Sequence, residues 1–82
     1  MNIQLIQGQF TAKDAIDIIT QMIHIKVKYQ ESKISNACNE EDIKMREARI
    51  KLLQKGLYEA RNYIEQQGGK VLVQSDIQLS IK

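Results

Sequence analysis

The sequence predicts a mainly α domain: a long antiparallel helical hairpin with short N- and C-terminal strands, in the order β-α-α-β, that dimerises. Three observations lead there. The stretch from Asn39 to Gly69 has a capped start, helical periodicity and a glycine stop. A second helical pattern fills Thr11 to about Ser35, and both ends of the chain alternate apolar and polar residues.

Asn2 to Gln7 reads Asn-Ile-Gln-Leu-Ile-Gln, with Ile3 and Leu5 on one side and polar residues between them. That is the period of a half-buried strand, and Gly8 is expected to end it. Thr11 follows Phe10 and has Asp14 three residues on, which marks a helix start resembling a capping box.

In the proximal half of the first helix, Ala15, Ile16, Ile18, Ile19, Met22, Ile23, Ile25 and Val27 cover an arc of roughly 200°. One partner helix cannot cover that width. Ile18, Met22 and Ile25 are therefore candidate interface residues, expected to meet a sheet or another subunit. Further along, Lys26, Gln30 and Lys33 interrupt the arc, so the hairpin should be packed at its base and wetter at its tip. Ile23 to Tyr29 alternates strictly, and a short helix followed by a strand is the alternative for residues 23–29. The helix is preferred because Lys13, Asp14, Asp17, Gln21, His24, Lys28 and Glu31 then form one continuous polar face.

Ser35 to Asn39 is a short polar connection, of the length that joins antiparallel neighbours. Asn39 is the expected N-cap of the second helix, with Asp42 placed to reach back toward the open backbone donors. Glu40, Glu41 and Asp42 also set negative charge at the positive end of the helix dipole. Ile43, Ile50, Leu53, Leu57, Ala60 and Ile64 fall on a stripe roughly 100° wide, a seam for one partner helix. Four charge pairs are expected at a spacing of four: Glu40 with Lys44, Asp42 with Arg46, Glu47 with Lys51, and Arg61 with Glu65. Between Asn39 and Gly69 six basic residues balance six acidic ones. Met45, Ala48, Leu52 and Tyr63, with Gly56 alongside, form a thinner second stripe; Met45, Leu52 and Tyr63 are candidate interface residues. Gly68 and Gly69 end the helix. Beyond them Val71 and Val73, then Ile77, Leu79 and Ile81, alternate with polar neighbours as a closing strand. An antiparallel hairpin returns its ends to one place, where the two strands can pair.

At 82 residues the chain makes one domain, residues 1–82, and a chain this short buries too little apolar surface to be comfortably stable alone. Cys38 is the only cysteine, so no internal disulfide forms and a reducing compartment is expected. No apolar stretch approaches about 18 residues, and no basic region precedes an apolar run. A cytoplasmic protein with no membrane partner is the resulting expectation.

Candidate chemistry reads blandly. His24 projects to the middle of the polar face and is read as a solvated histidine, and Cys38 as an incidental residue of the connection. Glu40, Glu41 and Asp42 point in different directions on a helix and form no cation cage. Gly68 and Gly69 follow a helix rather than open one, so they lack the context of a phosphate loop. Catalytic, cofactor and metal sites are all read as none. The expected function is a non-enzymatic interaction or assembly module, homo-oligomeric and serving a protein partner whose identity these residues do not reveal. The alternative is a small nucleic-acid-binding regulator using Lys44, Lys51 and Lys55 with Lys26, Lys28 and Lys33; the formal net charge of +2 and the interleaved acids weigh against it.

Overall fold

A computed structural model describes residues 1–36 and 39–81. Cys38 lies outside the described residues. The order is strand β1 (Asn2–Phe10), helix α1 (Ala12–Ser35), helix α2 (Glu40–Gln67) and strand β2 (Val71–Gln78). Residues 23–29 are helical, which settles the alternative at that segment.

Both helices begin as their capping residues dictate. The Thr11 hydroxyl accepts from the Asp14 amide at 3.2 Å, and the Asn39 side chain accepts from the Glu41 amide at 2.8 Å. Asp42 does not reach back to the cap as expected. Its carboxylate accepts from Arg46 Nε at 3.2 Å instead, because a charge-assisted partner one turn on is the stronger attraction. At the other end Gly68 takes the left-handed conformation (φ 61, ψ 48) that glycine adopts without a side-chain clash.

The α2 seam is buried or half-buried at Ile43, Ile50, Leu53, Leu57, Ala60 and Ile64, and it packs against α1. Arg46 occupies the same seam near the tip. Its Nη1 donates to Gln30 Oε1 of α1 at 2.9 Å, so the distal interface is held by a polar contact where the apolar arc is broken. Of the four expected charge pairs only Asp42 with Arg46 forms. Among the described residues the other ion pair is Lys55 with Glu59 at 4.0 Å. Exposed pairs at this spacing are worth only about 0.3–0.5 kcal/mol, too little to hold long side chains in one arrangement.

The strands pair antiparallel, from Phe10 opposite Val71 to Asn2 opposite Gln78. The main-chain pairing runs on between Met1 and Leu79, at 3.0 and 2.7 Å. Gly8 does not end β1: it pairs with Val73 inside the ribbon, at φ 154. Glycine alone adopts such a backbone without strain, which lets the strand continue to the helix cap.

The register shifts between Gln4 and Ile6, leaving Leu5 as a bulge. One extra residue reverses the alternation beyond it. Ile3, opposite Ile77, joins Ile6, Phe10, Val71 and Val73 on one apolar face, because directly opposed residues project the same way. A hydrogen bond between the Gln4 and Gln7 side chains on the other face fits this reversal, since residues three apart in a regular strand point oppositely.

The ribbon contacts mainly α1. The core sits where ribbon and hairpin meet: Ala15 is 0 % exposed and Ile64 3 %, and they are the fully buried hydrophobic residues among those described. The shape explains so small a core. The molecule measures 46 × 31 × 13 Å with a radius of gyration of 15.4 Å, against about 12 Å for a compact chain of this length. A slab this thin has two faces and almost no interior.

Candidate interaction surface

Helical geometry places an apolar row from each helix on the same broad face of the hairpin. Residues four, three and four apart lie in a row along a helix, and Ile18, Met22, Ile25 and Tyr29 have that spacing on α1. On α2, Met45, Ala48, Leu52, Gly56 and Tyr63 form the corresponding row. Each row lies roughly 120° from the seam of its own helix. Because the helices run antiparallel, both rows turn to the same side of the hairpin. The grooves between the helices are mixed in character on both sides. Lys26 and Gln30 of α1 line one groove, between the two apolar rows, together with Arg49, Leu52 and Leu53 of α2. The groove on the opposite side is lined by Glu31, Ile34, Glu47, Ile50, Lys51 and Gln54.

The apolar side is uncovered. Ile25 is 68 % exposed, Tyr29 56 %, Met45 49 %, Leu52 68 % and Tyr63 62 %, while Ile18 and Met22, in the first half of α1, are half-buried. Six expected candidates, Ile18, Met22, Ile25, Met45, Leu52 and Tyr63, thus lie on one face. Sequence reading missed Tyr29, although its spacing from Ile25 completes the row. Tyr29 ends the apolar row on α1, with the Lys33 ammonium 5.6 Å from its ring centroid, the arrangement of a cation–π contact.

Gly56 lies in the middle of the α2 row. A methyl group built there would meet nothing within 4 Å. No element of this chain requires the missing side chain, so the position is a notch open to the outside. The ribbon carries a second apolar strip, where Ile3, Ile77, Leu79 and Met1 are exposed beyond the bulge.

His24 is exposed, on the polar face where periodicity placed it, next to Thr20, Ile23 and Val27. Among the described residues no three His, Cys, Asp or Glu side chains converge as metal ligands, and no helix is long and apolar enough to cross a membrane. Lys44, Lys51 and Lys55 lie along the outer side of α2 and are exposed. Lys55 is engaged by Glu59, and Lys33 sits over Tyr29.

No family model, curated protein or solved structure matches this chain.

Proposed function

We propose that this protein is a non-enzymatic interaction module that works as a homo-oligomer, a small adaptor, regulatory subunit or assembly component. The observation that carries the reading is surplus surface. The chain exposes 6734 Å², against roughly 5,000 Å² for a compact monomer of its mass. Ile25, Tyr29, Met45, Leu52 and Tyr63, five of the exposed large hydrophobic residues, gather on one face of the hairpin, whereas solitary apolar residues on a surface are ordinary. A duplex-binding reading draws less support, because the basic residues are dispersed and partly engaged.

Self-association links stability to concentration, since a subunit that binds only the folded chain favours folding by mass action. Thermal unfolding followed by circular dichroism over a wide concentration range is the test. The midpoint is expected to climb as the protein is concentrated. A midpoint that stays constant would oppose a homo-oligomer.

A further inference from the structure

We infer that the apolar face of the hairpin docks a second copy of this chain, face to face, about a two-fold axis that passes close to Gly56. The inference rests on the homo-oligomeric reading above and adds the surface, the occupant and the symmetry.

The area argues for a second copy as the occupant. The excess over a compact monomer is about 1,700 Å² per chain. Two chains together would bury up to about 3,400 Å², within the roughly 2,000–5,000 Å² of obligate homodimers. Two hairpins stacked in this way make a four-helix bundle, in which each helix has a neighbour on its seam and another on its outer row.

A two-fold axis that stacks two copies face to face lies in the plane between them, and the residues along it meet their own copies. An axis that crosses the helices at mid-length puts the middle of each row there. The α2 row runs from Met45 to Tyr63, and Leu52 and Gly56 lie at its middle. In the antiparallel hairpin the α1 residue beside them is Ile25, and Lys26 and Arg49 line the groove between the two rows. Leu52 and Ile25 are among the most exposed large apolar side chains of the helices, and Gly56 presents an open notch between turns. Knobs set beside a hole at the centre of a self-complementary patch are what close helix packing needs. A glycine that nothing in its own chain requires thus acquires a purpose as the seat for a partner side chain.

The test replaces Gly56. Leucine is a far better helix former than glycine, and in the single chain it would project into open space. Were the face free, Gly56→Leu would leave the solution mass unchanged. The inference expects at least a tenfold weaker dimer by sedimentation, with helicity equal to or above that of the parent protein. Gln54→Glu, on the opposite face, is expected to keep the parent affinity. A parent dimer that Gly56→Leu leaves intact would overturn the assignment of this face while sparing the homo-oligomeric reading. A parent protein that is monomeric at every concentration would overturn both.

Discussion

Replacing Ile64 with alanine is expected to lower the unfolding free energy by about 2–5 kcal/mol, the range for removing a large buried aliphatic side chain. Ile64 is 3 % exposed, and Ala15 is the other fully buried hydrophobic residue among those described. Alanine returns only a fraction of the loss through its better helix propensity, about 0.4 kcal/mol. Domains of this size have little to spare: at roughly 0.05–0.15 kcal/mol per residue the whole stability is of the same order as the expected loss. Urea denaturation at one fixed protein concentration measures it. A change of less than about 1 kcal/mol would mean that the junction of ribbon and hairpin is not where the fold is held.

Leu52→Glu and Met45→Glu are expected to have their largest effect on association rather than on folding. In the single chain both side chains face solvent, and glutamate is a good helix former, so monomer stability should change by no more than about 0.5 kcal/mol. Within the interface the same carboxylates would lose water, and Arg49, one turn from each, would offset only part of that cost. Weakening of a hundredfold or more is expected for each, about 2.7 kcal/mol. The contrast between retained helicity and lost mass separates an interface residue from a core residue. Equal association by both variants and the parent would remove the α2 row from the contact.

These two substitutions also show which parts of the molecule are legible in the residues themselves. The seam containing Ile64 and the outer row containing Leu52 both follow from helical periodicity, because a side chain's direction on a helix depends only on its position. Helix ends were equally legible at Thr11, Asn39 and Gly68, where the cap is a local property of one or two residues. The ribbon was less so. Nothing in Asn2 to Gln7 announces that Leu5 is the residue left out of the pairing, since a bulge is decided by the partner strand and by what both strands rest on. Gly8 misled for a related reason. Glycine ends strands and also carries them through unusual dihedrals, and only the pairing with Val73 distinguishes the two roles.

The charge pairs were over-read. Spacing brings Glu47 and Lys51 within reach of each other, but reach is not contact when the gain is a few tenths of a kcal/mol and both side chains are solvated. The antiparallel hairpin brings Arg46 of α2 against Gln30 of α1, and their hydrogen bond is the consequence. The candidate surface was legible as two separate stripes. That the stripes share a side follows once the seam of each helix and the antiparallel packing fix how the helices are rotated against each other.

Association of two copies through the open face of the hairpin is tested most directly by sedimentation equilibrium over a concentration series. The mass should rise from near 9.5 kDa toward at least twice that value as the protein is concentrated. A folded protein that stays at 9.5 kDa throughout would contradict the claim.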